Sequence, residues 1–250
     1  IALARGLLGQ KKPTDAERTL LAARRYGNFT TLEYELASAR VAAGYYREAA
    51  EELAKSFSVK EGVVHTILGG RISRESKDFT ELVGFERRAS IYAPTAADNP
   101  ENAARLTALL EFKQQLDAVE VQPEAIAKAA DDFIKCDDRM KVHRQIFAAS
   151  KMLERQVALP KVVEITKAAV QNVSAGLEDP NASVAVTAAE LYEPRAIAGS
   201  RGEYVDVPTI PRMTLSAVIR GQIEEISGWA LFHMDDANEA VVRLRRAVAV

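Results

Sequence analysis

The stretch "ELASARVAAGYYREAAEELAKSF" (residues 35–57) contains two helix-favouring runs separated by a glycine. Alanine and long unbranched side chains dominate both runs, and these residues have high helix propensity. Gly44 lies between the runs, next to Tyr45 and Tyr46, where a turn calls for a residue that tolerates positive φ. The stretch therefore predicts two antiparallel helices joined by a tight turn.

Small residues recur in this pair at a fixed spacing. Ala37 is followed after twelve residues by Ala49, after four more by Leu53 and after another three by Ser56. Small side chains let two helices cross closely, and a leucine fills the gap beside the crossing. The same spacing occurs at Ala4, Ala16, Leu20 and Ala23, and again at Gly228, Ala240, Leu244 and Ala247.

The first copies of this pattern are in register. Ala16 and Ala49 are 33 residues apart, and a further step of the same length leads to Leu82. Gly70, Ala89 and Pro94 continue the pattern around Leu82, although Glu86 replaces the large apolar residue. A period of this length is typical of helical-repeat arrays.

On these residues the chain resembles the tetratricopeptide-repeat proteins, which are built from helix-turn-helix units of about 34 residues. The resemblance implies an all-α fold, a right-handed superhelix of antiparallel helix pairs with irregular middle repeats. We expect one helical-repeat domain over residues 1–250. It would contain repeat-like units at 1–95, divergent helix pairs at 96–178, a helix with an irregular excursion at 179–220, and a terminal repeat-like pair at 221–250.

Prolines and glycines outside the repeats predict where the other helices begin and end. Helices are expected to begin at Pro100 and Pro123, and two more to end before Pro160 and near Gly176. A helix over 183–192 is expected to lead into an irregular excursion over 193–211, because several prolines and glycines cluster there. A last long helix is expected from Arg212. Both ends of the chain lie inside apolar patterns, which favours a segment of a longer protein.

Charge and composition exclude several classes. The chain has 33 basic and 35 acidic residues, so no overall field favours nucleic acid or an anionic membrane. No apolar run reaches the roughly 18 residues of a membrane span, and no leader is recognisable. The sequence does not distinguish a cytoplasmic bacterial protein from an exported one. A single cysteine, Cys136, excludes an internal disulfide and a cysteine-rich zinc site.

No motif predicts catalysis, a metal or a cofactor. Cys136, Asp138 and His143 are conceivable metal ligands, but a small buried cysteine and a surface histidine are the simpler interpretation. The glycines at 68–71 and 199–203 do not match a nucleotide-binding loop. No histidine occurs in a recognisable nucleophile motif. We therefore predict a protein that is not an enzyme.

The predicted function is binding of a protein or peptide partner in a concave groove lined by the first helix of each pair. An acidic partner is one of the options. Trp229 and Phe232 could face this groove or belong to the core, and Arg71 and Arg74 are expected to contact a carboxylate. The predicted partner-binding residues are Arg5, Tyr34, Glu35, Ser38, Arg71, Arg74, Trp229, Phe232 and His233.

Two alternatives remain open from the sequence. The chain could be the non-catalytic repeat region of a larger enzyme, for example a bacterial protein with a thioredoxin-like domain beyond residue 250. It could also be a structural module that associates with itself through its terminal helix faces.

Overall fold

The computed structural model describes residues 1–27, 29, 32–55 and 104–250 in full, and the backbone of 57–60, 63–66, 75–76 and 100–103. Within these residues the chain forms twelve helices and three short strands, so the helical class is confirmed for this part. The helices are α1 (Ala2–Gly9), α2 (Pro13–Arg24), α3 (Leu32–Ala43), α4 (Tyr46–Ala54), α5 (Pro100–Asp117), α6 (Pro123–Ile134), α7 (Lys141–Glu154), α8 (Leu159–Gly176), α9 (Ala182–Val186), α10 (Tyr192–Ser200), α11 (Arg212–His233) and α12 (Ala237–Ala249). None of these described helices is both long and apolar enough to span a membrane.

The chain divides into two compact units. The first comprises Ile1–Glu111 and Ala188–Asp206, and the second comprises Phe112–Thr187 and Val207–Val250. The boundary between residues 111 and 112 falls inside α5. Each unit therefore combines segments that are far apart in sequence, with α10 belonging to the first unit and α11 to the second.

In the first unit, α1 packs against α2, α2 against α3, and α3 against α4. Most of the small residues of the repeat spacing and the leucines beside them are buried, namely Ala4, Ala16, Leu20, Ala37, Ala49 and Leu53. Ala23 is partly exposed, and Ser56 lies outside the described residues. Gly44 has φ +86°, as the turn between α3 and α4 requires. Packing of sequence neighbours through small residues is compatible with a helical-repeat fold.

In the second unit, α8 packs against α7 and α11, and α11 packs against α12. The core consists mainly of branched aliphatic side chains on these helices, among them Val142, Val173, Leu215, Ile219 and Ile223. A second cluster is aromatic: the Phe112 and Phe133 rings stack at 5.8 Å, and Phe147 meets both rings edge-on. The helix starts predicted at Pro100, Pro123 and Arg212 are confirmed.

Three short strands stand in the region where the sequence predicts the third repeat-like unit. Phe57–Lys60 (β1) pairs antiparallel with Val63–Thr66 (β2), which pairs antiparallel with Glu75–Ser76 (β3). β2 and β3 fall where the first helix of that unit was expected. Gly70, Leu82, Ala89 and Pro94, which define the predicted unit, lie outside the described residues.

The irregular excursion predicted over 193–211 is wrong for its first half. Residues Tyr192–Ser200 form α10, with Pro194 in its first turn. Proline is tolerated there because the first N–H groups of a helix have no intrahelical acceptor. Pro194 is therefore part of a helix start and not the helix breaker that the sequence predicts.

The crossing of α11 and α12 depends on a glycine. A Cβ atom added to Gly228 would lie 2.7 Å from Leu244 Cγ, 2.9 Å from its Cδ2 and 3.2 Å from its backbone nitrogen. A Cβ at Gly221, two turns earlier on the same helix, would meet only the Ala247 carbonyl oxygen, at 3.5 Å. The two helices therefore approach most closely at Gly228.

We expect Gly228→Ala to lower the free energy of unfolding by about 1–3 kcal/mol, because Leu244 and the α12 backbone must move. Gly221→Ala is the matched control, and we expect it to be neutral or to stabilise by up to about 1 kcal/mol through higher helix propensity. Urea unfolding followed by circular dichroism measures both. Equal effects of the two substitutions would contradict a close crossing at Gly228.

Candidate functional site

The predicted binding residues of the first unit are not a free surface in this structure. Tyr34, Glu35 and Ser38 on α3 are all buried. Arg5 on α1 donates to Glu35 Oε1 from Nε at 2.8 Å and from Nη2 at 2.6 Å, which joins α1 to α3. A role of these residues in partner binding stays a prediction, and it requires them to become uncovered. Arg71 and Arg74 lie outside the described residues.

Trp229, Phe232 and His233 lie together at the C-terminal end of α11, and we call them the ring cluster. The Trp229 and Phe232 ring centroids are 5.7 Å apart with the planes at 88°. His233 lies 5.7 Å from Phe232 and 6.5 Å from Trp229. Trp229 is 43% and Phe232 51% exposed, and His233 is exposed as well. The sequence left open whether Trp229 and Phe232 face a groove or belong to the core. Their exposure shows that they are not core residues.

The pattern of α11 explains why the rings face solvent. Leu215, Ile219, Ile223, Ile226 and Ala230 recur at helical spacing, and all are buried. Glu225 and the ring cluster lie outside this stripe and are exposed. An aliphatic stripe of this kind already supplies the helix with its core contacts. The rings are thus additional to what is needed to fold α11.

Helix α12 adds two exposed valines on the same side of the α11–α12 pair. Arg243 on α12 contacts Glu224 on α11 at 3.4 Å, which marks one side of the pair. By helical periodicity, Val241 and Val248 lie on the side of α12 opposite Arg243. In the same way, Trp229 lies on the side of α11 opposite Glu224. Val241 and Val248 are both exposed. We call the ring cluster together with these two valines the apolar strip.

The surroundings of the ring cluster are acidic. Residues 221–242 contain five acidic residues and no lysine or arginine. Arg243 neutralises two of them, Glu224 at 3.4 Å and Glu239 at 2.9 Å. The other three, which are Glu225, Asp235 and Asp236, are exposed and form no ion pair with another described residue. The ring cluster is therefore bordered by uncompensated negative charge.

The first unit holds a buried charge network that the sequence did not predict. Glu17 Oε1 on α2 accepts from Arg40 Nε at 2.8 Å and from Arg195 Nη2 at 2.6 Å. Arg195 Nε also donates to Glu48 Oε1 at 3.0 Å, and its guanidinium lies over the Tyr45 ring at 3.3 Å. Arg195 comes from α10, so the network docks α10 onto α2 and α4.

The network continues to Glu52, which accepts from Arg40 Nη1 at 2.8 Å, from Lys55 Nζ at 2.9 Å and from Arg24. Burial by itself would raise the pKa of Glu52, but the charges of Arg40, Arg24 and Lys55 lower it. Burial raises the pKa of Glu48, although Arg195 opposes this shift. Three buried carboxylates thus meet three arginines, which is the pairing that buried charges require.

The network has the character of a structural core. Burial by itself would lower the pKa of Arg195, but the charges of Glu17 and Glu48 and the nearby Tyr45 raise it. The guanidinium therefore keeps its charge and its two carboxylate partners. The sequence indicates this network only by placing charged residues on alanine-rich helix faces, namely Glu17, Arg40, Glu48 and Glu52. Arg195 lies 147 residues from Glu48 along the chain, so no local pattern links them.

The three residues considered as metal ligands do not form a metal site. The described part of the chain contains no group of three or more His, Cys, Asp or Glu side chains that could hold a metal ion. His143 is buried rather than on the surface, which corrects the sequence-based interpretation. Cys136 is partly exposed, and its carbonyl oxygen accepts from Arg144 Nη2 at 2.7 Å. Asp138 accepts from the same nitrogen at 2.7 Å.

Comparison of the chain with protein-family models, with curated proteins and with solved structures found no match.

Proposed function

We propose that this chain is a helical-repeat scaffold of the tetratricopeptide-like type that binds a protein or peptide partner. The ring cluster on α11 is the observation that carries the proposal. Aromatic side chains are enriched among the residues that dominate binding energy at protein interfaces. They are uncommon in this chain, since Phe, Trp and Tyr make up only 6% of its residues.

The rigidity of the surface supports the same function. The rings stand on one turn of a 22-residue helix whose opposite face is packed into the core of the second unit. A surface that is already ordered loses little conformational freedom when it binds. The rings also contact one another, which restricts their rotamers before a partner arrives.

We expect the double variant Trp229→Ala, Phe232→Ala to weaken binding of the partner at least about tenfold, because it removes the apolar contact area of the site. The partner would be captured from the source cells with the wild-type chain, then purified, and its affinity measured by calorimetry. Met213→Ala is the matched control. Met213 lies on the same helix and is 86% exposed, but it is far from the ring cluster.

Two outcomes would contradict the proposal. In the first, the double variant and Met213→Ala bind the partner as tightly as the wild type. In the second, the wild-type chain has a mass in sedimentation that rises with concentration, and the double variant is monomeric. That result would assign the ring cluster to a contact between two copies of the chain.

A further inference from the structure

We infer that the partner of the apolar strip is a basic amphipathic helix, which places a lysine or arginine against the ring cluster; this inference rests on the proposed function. Three observations support it. The strip runs along two neighbouring helices, its ring cluster offers aromatic faces, and its border carries uncompensated acidic side chains.

The shape of the strip favours a helix as the ligand. Trp229 and Phe232 on α11, with Val241 and Val248 on α12, line the same side of an antiparallel helix pair. Two packed helices leave a groove between their side-chain rows, and a third helix with apolar residues on one face fits such a groove. Val241 and Val248 are seven residues apart, which is two turns of α12 and the repeat at which a docked helix presents its own apolar residues.

The chemistry of the ring cluster favours a cation on that helix. A cation over the face of tryptophan or phenylalanine is attracted by the ring quadrupole, and this attraction is strongest for tryptophan. An acidic ligand would be repelled by Glu225, Asp235 and Asp236, whereas a basic ligand would compensate them. Of the arginines of α12 after Arg243, Arg246 lies on a different face, whereas Arg245 is exposed between Val241 and Val248 by helical spacing. The negative charge is therefore greatest at the other end of the strip, beside the turn that carries Asp235 and Asp236.

The negative charges of Asp235 and Asp236 can be removed by substitution with little change in structure. Asp236 caps α12 by accepting from the Glu239 N–H at 3.3 Å, and asparagine is an equally good cap. Asp235 has φ +63°, a conformation that asparagine also adopts readily. The variant Asp235→Asn, Asp236→Asn therefore changes the electrostatics of the site while it keeps the turn.

Trp229 is the only tryptophan of the chain, so its fluorescence reports on this site alone. The probes are three helical peptides of about 20 residues that lack tryptophan and tyrosine. They share one apolar face and carry arginine, glutamine or glutamate on the polar positions. Binding is expected to shift the Trp229 emission to shorter wavelength, because the ring leaves water.

We expect the arginine peptide to bind at least about tenfold more tightly than the glutamate peptide at about 20 mM salt, with a smaller difference at about 0.5 M salt. In the Asp235→Asn, Asp236→Asn variant the arginine peptide should bind several-fold more weakly, and the glutamine peptide should bind as before. Binding to the Trp229→Ala variant would be measured by calorimetry, and loss of all binding would place the peptides on the strip.

The outcomes separate the two proposals. Equal affinity of the three peptides, or an arginine peptide that is indifferent to the loss of both aspartates, would overturn the basic partner and leave the apolar strip as a docking surface. Tighter binding of the glutamate peptide would also overturn it. No change in Trp229 emission with any peptide up to about 1 mM would overturn the helical ligand. The proposed function is contradicted separately, if the Trp229→Ala, Phe232→Ala variant binds the captured partner as tightly as the wild type.

Discussion

Arg195→Ala is expected to lower the free energy of unfolding by about 3–5 kcal/mol, the largest effect that we predict for a single substitution in this chain. The substitution would leave Glu17 and Glu48 buried without the guanidinium that now donates to them at 2.6 and 3.0 Å. Glu17 would keep its contact with Arg40, whereas the buried Glu48 would lose its ion pair, and a buried carboxylate without a cationic partner carries a large desolvation cost. The contact of Arg195 with the Tyr45 ring would be lost as well.

Urea unfolding followed by circular dichroism, together with hydrogen exchange of residues 192–200, measures this effect. Arg18→Ala is the matched control, because Arg18 binds Asp206 and also joins α2 to the segment that contains α10. Its side chain is 53% exposed, so its loss should cost less than about 1 kcal/mol. Arg195→Lys should lie between the two, since lysine keeps the charge but not the forked donors. Equal stability of the Arg195→Ala and Arg18→Ala variants would show that the charge network does not hold α10.

The stability of the second unit is expected to fall by about 2–3 kcal/mol between about pH 7 and pH 4.5 because of His143 alone. Burial and, to a smaller extent, the charge of Arg144 lower the pKa of His143 from 6.5 to about 4, against the opposing effect of a hydrogen bond to the Gly176 carbonyl. As the pH falls below about 6.5, the unfolded chain takes up a proton at this residue. The folded chain takes it up only near pH 4. The contribution is therefore complete above about pH 6.5 and is lost as the pH falls.

Other buried acids also have shifted pKa values, so the effect of His143 must be measured as a difference between two proteins. Burial raises the pKa of Asp179 and of Glu48, and these groups act in the opposite direction to His143. We expect His143→Phe to be less pH-dependent than the wild type, so that the gap between their unfolding free energies changes by about 2–3 kcal/mol from about pH 7 to pH 4.5. Parallel pH profiles for the two proteins would show that His143 is not the group that titrates.

The two ends of the chain differ in what they offer to a partner. In the described part of the first unit, several buried charged residues bind one another, since Arg5 binds Glu35 and Arg195 binds Glu17. The described part of the second unit instead leaves three aromatic or imidazole rings and three carboxylates exposed around the end of α11. For this reason we place the binding function on α11 and α12 rather than on α3, which carries three of the nine residues predicted from the sequence.

The sequence by itself determined most of the described helices and the small residues at their crossings. Alanine, glycine and leucine at fixed spacing predicted the pairs α1–α2, α3–α4 and α11–α12, and prolines predicted the starts of α5 and α6. These features are local, because helix propensity, turn conformation and the size of a residue at a crossing depend on neighbours within a few turns.

Only the tertiary structure decided which side chains are buried. Tyr34, Glu35 and Ser38 were predicted to face a groove but are covered, and Trp229 and Phe232 could have been core residues but are exposed. The docking of α10 was invisible in the sequence, because Arg195 meets Glu17 across 178 residues and its segment reads as a loop. Burial of a charge depends on partners that arrive from distant parts of the chain, and no local pattern encodes them.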